Sequence, residues 1–287
     1  TEQAVKVSNI SLFFGSLEPF VIYGKTAESR RTTTKRITEY KPYTIGAQST
    51  AIDRANKKMY RLCGEADTNV YVMSMEGFPI ETITNKGSTG HDNDSCVVGD
   101  SLYIVGSSSS TNYLYQWTPQ SGVVASVDVS AITDNPNGSH RVLDGVCSSL
   151  DGTKLYLVCH DFTSGQELNP KADDKLSVYE LVIASGVVSL VAELEWDCVY
   201  IQGVTFVDGL LYVNCNTMTT GMPSNYVGVT LKIIDTSDYS LVDSILFEGV
   251  FEGEGLDYFV DNGVPKLVTC FAHSGHRADL CKFIPNW

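Results

Sequence analysis

The sequence predicts an all-β fold: a five-bladed β-propeller of four-stranded antiparallel blades, its ring closed by an N-terminal strand. Three observations lead there. Five stretches pair a polar residue and a small one with a following strand of the type Leu-Tyr-x-x-Cys. They are Gln48-Ser49 with Met59–Cys63, Asp94-Ser95 with Leu102–Gly106, and Asp144-Gly145 with Leu155–Cys159. Gln202-Gly203 with Leu211–Cys215 and Glu254-Gly255 with Lys266–Cys270 complete the set. A repeat of roughly 45–55 residues is the mark of blades or solenoid units. Within each unit, β-branched and aromatic residues alternate with polar ones between Gly, Asp and Asn turns, which is the strand signal. Helical periodicity is hard to find anywhere.

Taken in order, the second unit reads as strands Asp94–Val98, Leu102–Val105, Asn112–Trp117 and Val123–Val129. The third repeats this as Gly145–Ser149, Lys154–Cys159, Leu176–Leu181 and Val187–Leu194. Four-stranded units set about an axis make a propeller. The fifth unit supplies Gly255–Val260, Lys266–Phe271 and Asp279–Ile284, and the sequence ends one strand short. Thr32–Tyr40 is the candidate for that missing outer strand, which would leave no open edge between first and last blades. The expected organisation is a lead-in or linker at 1–31, with strands at Ile10–Phe14 and Phe20–Tyr23, and a propeller at 32–287.

Composition agrees with one β-rich domain: 287 residues, 43% hydrophobic, 24 glycines. No run reaches the apolar length of a membrane span. The N-terminus does not read as a signal peptide, although without an initiator Met the chain can be a processed or excised piece. The net charge of −14 opposes general nucleic-acid binding, which needs a basic surface to displace counterions. It opposes anionic membranes likewise. The one basic cluster, Arg30, Arg31, Lys35, Arg36 and Lys41, falls around the closing strand and reads as a charge-protected edge.

Cys63, Cys159, Cys215 and Cys270 share one slot of the second strand, with Gly106 in the remaining unit. Such positions diverge from the axis, too far apart for disulfides. Cys96 and Cys147 read as core fillers on innermost strands. No paired zinc spacing occurs, and many unpaired thiols suit assembly in a reducing compartment.

Innermost strands start at one mouth of the channel, and the loops between second and third strands open on the same face. Repeat alignment puts Gln48, Asp94, Asp144, Gln202 and Glu254 around that mouth, all polar where buried polar groups are costly without partners. They either bond neighbouring backbones and channel water or floor a ligand pocket. The second-to-third strand loops of the third and fourth units, 160–174 and 216–228, are long, as functional loops often are. His91, Asn93, Tyr226 and His273 are the candidate walls. Amides, carboxylates and rings such as Phe162, Tyr226 or Phe271 suit sugar recognition.

The stretch Gly90-His91-Asp92-Asn93-Asp94, with Gln202-Gly203-Val204 and Glu252-Gly253-Glu254-Gly255-Leu256, resembles propeller domains of tail-tip receptor-binding proteins from phages of Gram-positive bacteria. The likeness covers about Gly46 to the C-terminus. It implies a five-bladed propeller binding a cell-wall glycopolymer, a virion location in the phage tail, and His91, Asn93, Asp94, Gln202 and Glu254 as ring or pocket positions. The strong acidity suits a neutral or cation-bridged saccharide better than a phosphate-rich polymer. If residues 1–25 join a stem, a homotrimer is expected.

Two other classes stay open. Five-bladed glycoside hydrolases use three carboxylates at the mouth, and Asp94, Asp144 and Glu254 supply the types needed for base, orienting group and acid. The same three are the candidates for a calcium site, since calcium takes six to eight oxygen ligands. Gln48 departs from the Asp those enzymes carry in the first blade. A protein-interaction scaffold is the third class. A GxSxG elbow and a P-loop are both absent from the sequence.

Overall fold

The computed structural model describes residues 24–26, 37–43, 48–64, 67–108, 111–127, 129, 132, 140–162, 175–195, 199–218, 226–248, 252–273 and 277–283. Every extended element among them is a β-strand, and they form five antiparallel sheets arranged as a β-propeller. The first sheet holds β3 (Ser49–Asp53), β4 (Lys58–Leu62), β5 (Val70–Ser74) and β6 (Pro79–Ile83). The second holds β7 (His91–Val98), β8 (Ser101–Ser108), β9 (Thr111–Thr118) and β10 (Gly122–Val127). The third is β11 (His140–Ser148), β12 (Lys154–Phe162), β13 (Lys175–Val182) and β14 (Val187–Glu195).

The fourth sheet is β15 (Val199–Val207), β16 (Leu210–Met218), β17 (Tyr226–Asp235) and β18 (Leu241–Glu248), with β1 (Gly24–Thr26) added to its outer edge. The fifth is β19 (Glu252–Asp261), β20 (Val264–His273) and β21 (Arg277–Phe283), and β2 (Ile37–Tyr43) pairs with β21 as its fourth strand. The strand expected over Thr32–Tyr40 is thus seen over Ile37–Tyr43, residues 32–36 lying outside the described residues. The pairing of β1 with β18 had no counterpart in the sequence reading. The strands expected at Ile10–Phe14 and Phe20–Tyr23 lie outside the described residues.

Turn chemistry cuts the strands as expected. Asp208 (φ 50°) and Gly209 (φ 84°) link β15 to β16, and Asn262 (φ 52°) and Gly263 (φ 79°) link β19 to β20. Two successive positive φ angles are the type I′ hairpin condition that Asp-Gly and Asn-Gly satisfy.

The core lies between sheets. Leu62, Ile104 and Trp117 fill the space between first and second, and Val105, Leu143 and Leu157 that between second and third. Val158, Val204 and Val213 join third to fourth, Ile233, Leu256 and Leu267 join fourth to fifth, and Ile52, Met59 and Val268 join fifth to first. Each large apolar side chain fully buried there contributes roughly 1.5–3 kcal/mol. Outer strands are wetter, as the exposed pattern along β14 shows. Cys96, Cys147, Cys159, Cys215 and Cys270 are buried fillers, and Cys63 is half-buried.

Candidate functional site

The innermost strands β3, β7, β11, β15 and β19 touch in succession, and β19 also touches β3. Their starts lie together at one end of the propeller. A local bulge reshapes four of them there. The ladder skips Asn93 in β7, Asp144 in β11, Gln202 in β15 and Gly255 in β19. A bulge leaves one residue unpaired and re-aims its side chain.

These bulges alter the expected register. Asp94 pairs with Val105, and Gly145 and Gly203 pair with Val158 and Asn214 at the matching step. Asp94 thus stands one ladder step deeper than Asp144 and Gln202, whose counterpart in β7 is Asn93. Glu254 pairs opposite Cys270 and stands just before its bulge. The repeat had suggested one shared position for the five polar residues, because a bulge inserts a residue that spacing cannot reveal.

The glycines of the last two repeats have a steric cause. A Cβ on Gly203 would come within 2.4 Å of Leu256 N, and one on Gly255 (φ +65°) within 2.5 Å of Thr50 N. Neighbouring inner strands approach too closely for a side chain.

Asp94 is wholly buried. Its Oδ2 accepts hydrogen bonds from the backbone N–H of Val146 at 3.0 Å and of Val204 at 2.9 Å. One carboxyl thus ties the second, third and fourth sheets. Burial pushes it well above the usual carboxylate range, against the pull of those donors. Further along the axis, Asp257 accepts from Ile52 N at 2.6 Å, Tyr258 N at 2.7 Å and Thr205 Oγ1 at 3.3 Å, and pairs with Arg54. It joins the fourth, fifth and first sheets.

At the mouth end, Gln48 Nε2 donates to Glu254 Oε1 at 3.3 Å, linking first and fifth sheets. Asp144 Oδ2 bonds His160 Nδ1, both residues being buried. Burial raises the Asp144 carboxyl, and His160 opposes that rise. Gln202 and Asn93 are buried at the same end, and His91 is half-buried. Tyr226 and His273 stand at strand ends, paired with Met218 and Arg277. Their side chains, and most of the long loops at 160–174 and 216–228, lie outside the described residues.

One polar group escaped the sequence reading. Lys86, Thr89 and Asp92 are all buried. Lys86 Nζ donates to Asp92 Oδ2 at 2.5 Å and to Thr89 Oγ1 at 2.9 Å, and Thr89 Oγ1 donates to Asp92 Oδ1 at 2.5 Å. Burial raises the Asp92 carboxyl, and Lys86 lowers it. This knot pins the segment before β7 across the second sheet. Its one trace in the sequence is Gly106, where a Cβ would lie 1.9 Å from the Thr89 carbonyl oxygen.

Among the described residues no group of three or more His, Cys, Asp or Glu side chains converges to hold a metal. Asp94, one of the three candidate calcium ligands and hydrolase carboxylates, is engaged with backbone. No described helix is long and apolar enough to cross a membrane.

No family model and no curated protein matches the sequence. Solved structures resemble it at low identity. Hydrazine synthase of Kuenenia stuttgartiensis is 14% identical with a TM-score of 0.46, the match covering 78% of this chain and 64% of that one. The WD40 β-propeller domain of Doa1 is 10% identical with a TM-score of 0.46, covering 84% and 79%. A tail fibre of Staphylococcus aureus phage P68 is 15% identical with a TM-score of 0.45, covering 86% and 52%. The chain thus spans less than two thirds of the hydrazine synthase and tail-fibre chains.

Proposed function

We propose that the five sheets are blades of one ring over residues 32–287, sealed by β2, and that its mouth binds a cell-surface saccharide. The setting we propose is receptor binding in a phage tail, in several copies per particle, so that weak single sites add up through avidity. The observation that carries this is the polar mouth itself. Gln48 and Glu254 meet across the seam, and Asn93 and Gln202 stand at the bulged strand starts beside them. Amides and carboxylates at one end of a rigid sheet assembly are the groups that read sugar hydroxyls. The Gly90–Asp94 stretch supports the tail-tip setting, as a resemblance in sequence.

Binding is favoured over hydrolysis by the engagement of Asp94. Its Oδ2 accepts two backbone N–H bonds, which leaves it poorly placed to activate water. One observation favours a glycoside hydrolase: burial raises the Asp144 carboxyl, as a general acid requires.

A glycan and cell-wall-polysaccharide array, with mass analysis of each hit and with or without calcium, tests both. An uncleaved ligand whose binding weakens on Glu254→Gln and Gln48→Ala supports recognition at the mouth. Cleaved product moves the function to hydrolysis, and the absence of any saccharide hit moves it to a protein-interaction scaffold.

A further inference from the structure

We propose that the cleft between the fifth and first sheets, at the far end of the propeller from the polar mouth, is a second ligand site that takes a small carboxylate with an apolar tail. The cleft lies where β3 and β19 end, and it encloses about 390 Å³. That is within the roughly 300–1,000 Å³ usual for small-molecule pockets. It stands independently of the saccharide site proposed at the mouth.

Two features specify the ligand. The first is an apolar wall that a ligand can touch. Met75, Phe259 and Val260 line the cleft, the first two half-buried and Val260 58% exposed. An alkyl chain laid on these side chains removes apolar surface from water on both partners, at about 25 cal/mol per Å².

The second is charge. Arg54, Lys57 and Lys266 line the cleft against Glu76 and Asp261, three cations to two carboxylates in a chain whose net charge is −14. Lys266 is committed to Asp261. Arg54 is held in place: its Nη2 bonds Asp257, and its guanidinium carbon lies 3.9 Å from the centroid of the Tyr258 ring. Its side chain still keeps 31% of its surface exposed. A guanidinium carries five N–H donors in a fixed fork, so one that bonds Asp257 has further donors for a ligand carboxylate. Lys57, exposed in the β3–β4 turn, has a left-handed φ of 53°. That backbone is uncommon for lysine, and here it sets a second positive charge at the rim.

The apolar wall asks for a hydrocarbon tail, and Arg54 with Lys57 asks for an anion at one end of it. The other cleft, about 240 Å³ between first and second sheets, has the opposite character. There Asp53, Glu81 and Asp100 face Lys58 alone. An apolar anion is thus directed to one of the two clefts.

The test is an NMR titration of the whole protein with octanoate, octanol and octylamine, following the assigned Met75 methyl resonance. Octanoate should move it and bind roughly two- to fivefold more tightly than octanol, the range of an exposed ion pair. Octylamine should bind most weakly. Lys57→Asn removes the charge and suits the left-handed backbone. It should weaken octanoate by a similar factor and leave octanol unchanged. The mouth variant Glu254→Gln should leave octanoate binding as it is. An unmoved Met75 resonance, octanol or octylamine binding as tightly as octanoate, no loss in Lys57→Asn, or a loss in Glu254→Gln would each overturn the proposal.

Discussion

The carboxyl of Asp94 and the backbone N–H of Val204, 110 positions apart in the chain, are joined by a 2.9 Å hydrogen bond across the centre of the propeller. The same oxygen accepts from Val146. Removing the acceptor should therefore strand two buried donors. Asp94→Ala should lose about 2–6 kcal/mol, one to three for each donor left unpaired. Asp94→Asn keeps an acceptor oxygen and should lose far less. Urea unfolding of both variants checks this.

Asp94 also sets a pH dependence. Its folded pKa lies well above the ordinary value of 3.8, because burial disfavours the charged form. As pH rises past that ordinary value, the unfolded chain releases the proton first while the folded protein retains it. The folded state then holds more protons, so stability falls with rising pH until the folded pKa is passed. Asp94→Asn should flatten this decline. Unfolding midpoints compared across pH from just above 3.8 towards neutrality will show whether the two proteins differ in slope.

Close approach of inner strands should make Gly203 intolerant of a side chain. Gly203→Ala puts a Cβ 2.4 Å from Leu256 N and should cost roughly 1–3 kcal/mol or more through overpacking. Gly186→Ala provides the contrast. Gly186 has φ +68° but nothing within 4 Å of the added carbon, so only backbone strain of about 1–2 kcal/mol remains. Thermal unfolding of the two variants should rank them in that order.

Breaking the Lys86–Asp92 pair from one side should be worse than removing it. Lys86→Met leaves a buried carboxyl without its cation and should cost about 3–5 kcal/mol. Lys86→Met/Asp92→Leu should recover much of that loss. A double-mutant cycle by denaturant unfolding measures the coupling, and strict additivity would contradict it.

Local patterns carried the fold well. Strand alternation, the Asp208-Gly209 and Asn262-Gly263 turns and the small residue after each polar one act over a few residues, so they can be read without coordinates. The strand at Thr32–Tyr40 was legible for a different reason: the last unit lacked a strand, and β2 pairs with β21 at 37–43. The mouth was only partly legible. The sequence grouped the polar residues on the innermost strands, but it treated Asp94 as the equal of Asp144.

By itself the sequence determined an all-β chain of repeating four-stranded units with polar residues on the innermost strands. Only the tertiary structure decided what each polar residue does. The bulges that sink Asp94 one step below Asp144 depend on how each strand meets its partner. The fate of a carboxyl depends on which donors lie opposite: backbone N–H groups for Asp94, His160 for Asp144, Lys86 for Asp92, Gln48 for Glu254. Residues 110 or 206 positions apart supply some of those partners. Strand propensity is local, whereas desolvation and hydrogen-bond satisfaction are set by neighbours that only folding brings together.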